Sequence, residues 1–426
     1  MAPEILESAP TKHGGLAVPR LRIAMMLESD EPGGAEMMVY RLSEELRDRG
    51  HAIIPVGPAR GVGWLGDLFR RGGFSPEVFH LDRPIDPGCV RRFVQLFRKY
   101  RIDVVHSHEF TMAVYGTAAS QLLGLPHLIT MHGGLKEYKV LRRRVALRWA
   151  LRSSDYAVMV SRATQTQFAT NLRVNASLFT VVPNGVPMQV GNSAGVRAEF
   201  NIAENERVIL AVGVLERHKG HRVLLEALAQ LERNGFDTPW RLIIAGGAGG
   251  SEHQSLLDYV RGAGLSDRVS IVTSRNDVAD LLALADVFVM PSLWEGLPMA
   301  LLEAMLTGKA TVASATGGIP EALVDGRDGV LVPPGEVAPL ALALRTVLSD
   351  PALSSSLAES AARRARNEFT VQAMADSYEA LYAKAWRRRQ KRSLSAWDRN
   401  PVLLEEDRPF ASPTLDRKSV PSLGSW

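Results

Sequence analysis

Cysteine is nearly absent from this chain: Cys89 stands alone in 426 residues. A single thiol excludes an internal disulfide framework and suits a reducing compartment. No apolar run approaches the roughly 18 residues that a membrane-spanning helix needs. Residues 1–20 mix Pro, Gly, Glu, Lys and His without an apolar core, so no secretion signal is expected there and the stretch reads as disordered. These absences point to the cytoplasm. Charge of one sign is scarce as well: the formal net charge is +4, too small to suggest a nucleic-acid partner. Neither Asp-x-Asp nor His-Glu-x-x-His occurs, so no bound metal is required. The turn after the first strand lacks the Gly-x-Gly-x-x-Gly pattern of a dinucleotide site.

What is present is ordinary soluble protein, 46% hydrophobic and 23% charged, long enough for two large cores. Short apolar runs alternate with helical patterns throughout. In the first half, strands are expected at 21–27, 51–57, 78–81, 102–105, 128–131, 156–160 and 179–182. In the second half they are expected at 208–212, 241–245, 269–272, 287–290 and 310–313. Strand–helix alternation of this kind means parallel sheets with helices on both faces. The chain therefore reads as α/β, with two doubly wound, Rossmann-like domains. The expected divisions are 21–186, 187–369, a last helix at 370–389 and a disordered tail at 390–426. Ligands of such sheets bind at strand C-terminal ends, here in the cleft that the two units face across.

The stretch from Asp286 to Gly308 organises the rest. Val287–Met290 is long enough for a buried strand. Pro298 suits the first turn of the helix that follows, and Gly308 is placed to end it. Glu295 then lies in a loop beside a helix start, and Glu303 about 7 Å further along the axis at 1.5 Å per residue. Backbone N–H groups between them favour phosphate. A ligand with hydroxyls at both ends and phosphate in the middle fits, which describes a sugar nucleotide.

Other strand ends carry further candidates. Gly33-Gly34 follows the first strand, where a doubly wound sheet binds ligands. His106, His108 and His132 follow strands of the first unit; hydrogen bonding is preferred over metal ligation for them, and His132, beside Gly133-Gly134, is the better ligand contact. Lys219, after the strand at 208–212, can neutralise a leaving diphosphate.

These residues stand in a familiar order. Gly33-Gly-Ala-Glu36, Val105-His-Ser-His108, Thr130-Met-His-Gly133, Val182-Pro-Asn-Gly-Val186, Lys219-Gly220, Glu295-Gly-Leu-Pro-Met-Ala-Leu-Leu-Glu303 and Gly317-Gly-Ile-Pro-Glu321 span about residues 21–385. The chain resembles the retaining glycosyltransferases of the group-1 family, family four, which have the GT-B fold. The resemblance implies that Glu303 holds the ribose hydroxyls, Glu295 the donor sugar and Lys219 the diphosphate, with His132 near the reacting centre. It gives His132, Glu295 and Lys219 catalytic parts. The donor-binding set becomes Glu303, Gly33, Gly34, Gly296, Leu297, Pro298, Arg217 and Asn184. It implies a nucleoside-diphosphate sugar donor, a carbohydrate or lipid-linked hydroxyl acceptor, no cofactor, and work in bacterial polysaccharide or glycolipid synthesis. It also implies that the last helix crosses back to the first domain. The chain departs from the family pattern at Val214, where an arginine often stands; Arg217 is the nearest substitute. A sugar-nucleotide 2-epimerase and a non-catalytic sugar-nucleotide sensor are the rival readings.

Basic residues cluster between Lys136 and Arg152, with Glu137 the one acid among them, and again at 387–392. On a helical wheel Val140, Leu147 and Leu151 share a face, closely flanked by Arg143 and Arg144, with Trp149 nearly opposite. No clean apolar and basic division results. The expectation is loose, salt-sensitive association with the inner face of an anionic membrane, without insertion.

Overall fold

The computed structural model describes residues 19–397, apart from 30, 32, 59–62, 83–84, 134–139, 248–249 and 274. The disorder expected at the N-terminus falls outside these residues, Pro19 and Arg20 excepted, as does the disorder expected beyond Trp397.

The first sheet is built from β1 Arg22–Met26, β2 Ala52–Pro58, β3 Glu77–Phe79, β4 Val104–His108, β5 His127–Met131, β6 Tyr156–Met159 and β7 Phe179–Val181. The second has β8 Arg207–Val212, β9 Trp240–Ala245, β10 Val269–Val272, β11 Val287–Met290, β12 Ala310–Ser314 and β13 Val330–Val332. Their orders are β3-β2-β1-β4-β5-β6-β7 and β10-β9-β8-β11-β12-β13, and neighbours pair in parallel. Central strands such as Val287–Met290 are buried on both faces, which explains their unbroken apolar sequences. β13 is an added edge strand beyond those read from the sequence. Strand order reverses between β1 and β4 and between β8 and β11, and crevices open beyond the carboxyl ends at those points.

Local signals hold at most boundaries. Asp86 caps the helix Pro87–Lys99 through Gly88 N–H, and Ser161 caps Arg162–Leu172 through Thr164 N–H. Gly308, at φ +69°, ends the helix Met299–Leu306. Two boundaries differ from expectation. Pro298 stands just before that helix with extended ψ, not in its first turn. The last helix, Val371–Trp397, runs on past Arg389 into the stretch read as a disordered tail.

That last helix returns to the first sheet through buried polar contacts. Tyr382 Oη lies 2.7 Å from His106 Nδ1, His106 Nε2 lies 2.8 Å from Thr130 Oγ1, and Thr130 Oγ1 lies 3.0 Å from Tyr378 Oη. Arg49 pairs with Asp376 and Glu379 of the same helix, each at 2.6 Å.

Asp328 anchors the segment that approaches the cleft from the second sheet. It is 1% exposed and bonded by Arg327, Arg364, Ser360 and Val324 N–H. Arg364 also donates to the Glu321 carbonyl at 2.8 Å. Burial works to raise the Asp328 pKa, but these hydrogen bonds outweigh it and bring it to about 2. Asp328→Asn is therefore expected to cost about 3 kcal/mol at neutral pH. The depressed pKa means this stability is present above the ordinary value of 3.8 and lost as pH falls toward about 2. Denaturant titrations of both proteins should accordingly converge in acid; a constant gap would place the loss in packing.

Candidate active site

Glu295 lies in the turn after β11, 7% exposed. Its Oε1 accepts from Lys219 Nζ and from Ser292 Oγ, both at 2.7 Å. Lys219 comes from the single 3-10 turn Arg217–Lys219 after β8. The chain can bring the two together because Gly220, at φ +69°, lies where a Cβ would sit 2.0 Å from the Pro291 carbonyl. Leu293 N–H closes the junction on the His218 carbonyl at 2.7 Å. A cation and a carboxylate thus meet at the switch point of the second sheet.

The same turn is clamped from both sides. A Cβ on Gly317 would lie 1.7 Å from the Glu295 carbonyl, which accepts from Gly318 N–H at 3.2 Å. From the first sheet, the His132 carbonyl lies 2.2 Å from where a Cβ of Gly296 would stand, and Gly133 lies against the Trp294 ring. Asn184, 4% exposed, donates to the Leu297 carbonyl at 2.7 Å. Glu321 accepts from the Arg162 and Ala163 N–H groups at 2.8 and 2.7 Å, capping a helix of the other domain. The Gly317–Glu321 motif is a clamp between domains.

His132 leaves the end of β5, and its backbone N–H is held by Glu109 Oε1 at 2.9 Å. Its Nε2 lies 3.0 Å from His108 Nδ1, and His108 Nε2 lies 3.3 Å from Met25 Sδ. Sulfur only accepts here, so His108 Nε2 carries the proton and His108 Nδ1 accepts from His132 Nε2–H. The lone pair of His132 then sits on Nδ1, which is buried and has no partner among the described residues. Burial lowers the His132 pKa to about 4, so the ring is neutral at physiological pH. An uncharged acceptor held this way is suited to a ligand hydroxyl. His108→Leu frees the ring to take either tautomer. It is expected to lower kcat by about a hundredfold, the lower end of what one positioned group contributes, with little change in donor affinity. An equal fall in affinity would make His108 a packing residue only.

Across from β11, the helix Met299–Leu306 starts without a side-chain cap, leaving its first N–H groups for a ligand. Gly34 of the first domain faces it, its Cβ position 3.6 Å from Met299 Cγ. Glu303 is half-buried on this helix; burial raises its pKa to about 7, opposed by Arg41 of the first domain.

Lys219 and Glu295 thus meet in the turn after β11, Gly296 lies against the His132 carbonyl, and the helix bearing Glu303 lies against Gly34. Asn184 is buried and its amide nitrogen holds the Leu297 carbonyl, while its Oδ1 has no partner among the described residues. Arg217, two residues before Lys219, is exposed and its guanidinium has no partner among the described residues. His106 has both ring nitrogens engaged by Tyr382 and Thr130, and no group of metal-ligating side chains occurs among the described residues. Glu109 escapes sequence reading because it falls just past the strand. Its φ of +64° is its signal in the structure, since a non-glycine residue is held there only under constraint.

Two parallel doubly wound sheets meeting across such a cleft define the GT-B architecture. Residues 194–367 match the family described as glycosyl transferases group 1, and residues 32–190 match glycosyltransferase family 4. Glycogen synthase of Mycobacterium tuberculosis is 32% identical over 301 residues, 68% of this chain and 70% of that one. D-inositol 3-phosphate glycosyltransferase of an Arthrobacter species is 30% identical over 283 residues, 62% of this chain and 67% of its own. Among solved structures, Anabaena HepE in complex with UDP and glucose superposes with a TM-score of 0.73 at 25% identity, covering 84% of this chain and 98% of that one. The chain belongs to the group-1 glycosyltransferases, family four, and is a glycosyltransferase.

Proposed function

We propose that this protein transfers a sugar from a nucleoside-diphosphate sugar to a hydroxyl acceptor with retention at the anomeric carbon. The observation that carries the reading is the Lys219–Glu295 pair beside an uncapped helix start that bears Glu303 further along. Cation and helix N–H groups suit a diphosphate, Glu303 suits ribose hydroxyls, and Glu295 with His132 Nδ1 suits the hydroxyls of a sugar. Support comes from HepE, which was solved with UDP and with UDP-glucose. In the reaction the anomeric C–O bond to phosphate breaks and the electron pair leaves with the diphosphate, which Lys219 stabilises. The acceptor oxygen bonds the anomeric carbon, and its proton leaves with the departing phosphate. Retention rests on the family resemblance. No metal or cofactor is assigned a part. The site is assigned to the cytoplasm, on polysaccharide or glycolipid acceptors.

A panel of nucleotide sugars screened by thermal shift would find the donor, and nucleotide release with candidate acceptors would test turnover. The anomeric proton coupling of the product reports its configuration. Epimerised donor without acceptor would replace the transferase reading with an isomerase. Donor binding without turnover on any acceptor would leave a sensor.

A further inference from the structure

We propose that the helix Leu141–Ser153 docks the protein on an anionic lipid surface, with an apolar ridge entering the interface and arginines on its flanks. The helix follows β5 and buries Leu147, Ala150 and Leu151 against the first domain. That accounts for one apolar face. The wheel drawn from sequence compares other residues with this face and finds arginine beside it. The structure shows a second apolar face, turned to solvent. Leu141 is 64% exposed, Val145 56% and Trp149 40%. Their spacing of four residues places them in one row along the helix. Val140, counted from sequence on the inner face, is 40% exposed at the helix entrance.

Arginine fills both sides of this row. Arg142 lies on one side and Arg144 and Arg148 on the other, by helical angle, and Arg152 continues it. Arg142, Arg143 and Arg152 are exposed, and Arg144 and Arg148 half-buried. The helix carries no acidic residue. None of these five arginines has a carboxylate partner among the described residues; Arg143 lies over the Phe110 ring at 5.6 Å. A protein partner would offer paired carboxylates at defined places. An unpaired row of arginines around three apolar side chains, one a tryptophan, complements a continuous negative surface with an apolar layer beneath it. Among the described residues no helix is long and apolar enough to cross a membrane, so the contact is peripheral. The proposal stands independently of the transferase reading.

The test uses the full chain and vesicles of phosphatidylcholine with or without phosphatidylglycerol. Binding is expected to the anionic vesicles only. Arg142, Arg144, Arg148 or Arg152 changed singly to glutamine should weaken it about fivefold, and Arg143, turned toward Phe110, should matter less. The triple change L141S, V145S and W149S touches no residue of the cleft and should weaken binding about tenfold or more at every salt concentration. Brominated lipid should quench part of the tryptophan fluorescence, and W149F should abolish that part. Salt is expected to reduce binding but leave a residue that depends on the ridge. Failure to bind anionic vesicles overturns the proposal. So does binding that the triple variant retains, which would mean charge attraction alone. Sedimentation without lipid is the remaining arm: a dimer dissolved by the triple variant would assign the ridge to a second copy of the chain and refute the lipid assignment.

Discussion

Lys219→Ala is expected to lower kcat/KM by about a hundredfold to a thousandfold, the usual loss when one group aimed at developing charge is removed. The cation is mostly buried and sits 2.7 Å from Glu295, so the substitution also leaves a buried carboxylate with Ser292 alone. That should cost about 1–3 kcal/mol of stability. The two effects separate in the double variant Lys219→Ala with Glu295→Gln, which should regain stability and not turnover. Arg217, exposed in the same 3-10 turn as Lys219, is the nearest other cation in sequence. A kcat/KM within about threefold of wild type would show that the leaving diphosphate is stabilised elsewhere.

Glu303→Ala is expected to weaken donor binding by about 1.5–3 kcal/mol, a change in Kd of about tenfold to a hundredfold. Titration calorimetry measures it directly, and unchanged affinity in a folded variant would remove Glu303 from the site. The pH dependence adds a second check. Burial raises this carboxyl to about 7, and only the ionised form accepts from two hydroxyls, so donor affinity should rise as pH rises through about 7. Stability of the free protein should move the other way. The folded state holds the proton more tightly than the unfolded state between 4.5 and about 7, so stability falls as pH rises through that window. Glu303→Gln should flatten this slope and abolish the pH dependence of donor binding together.

Much of this molecule is legible in sequence because its signals are local. Val287–Met290 is a continuous apolar run because both its faces are buried, and Gly308 marks a helix end because the turn needs positive φ. Capping by Ser161 is equally local. Glu295 and Lys219 could be named because they follow strand ends, and Glu303 because it lies on the helix behind one. The pairing of Lys219 with Glu295 could not, since 76 residues separate the two and only the β8–β11 adjacency joins them. The tautomer of His132 depends on Met25 and His108, brought together by β1-β4-β5 order. The clamp made by Gly317-Gly318 was not legible, because a close approach to backbone and a close approach to a ligand both demand glycine. The bond from Asn184 to the Leu297 carbonyl was likewise out of reach, since 113 residues separate the two. The solvent-facing ridge of Leu141–Ser153 was hidden because periodicity shows which residues share a face, not which face is covered.

The buried network of His106 and Thr130 with Tyr378 and Tyr382 also bears on how the chain is made. His106 and Tyr382 are 276 residues apart, so the first domain emerges from the ribosome long before its polar partners exist. Until then, two polar groups at the centre of the first sheet face an open groove. The first domain made alone would expose that groove, and a nascent chain would keep it wet until the helix Val371–Trp397 has emerged. The polar centre of the first core is thus completed only once that helix has been made, and a chain cut before Tyr378 would lack it.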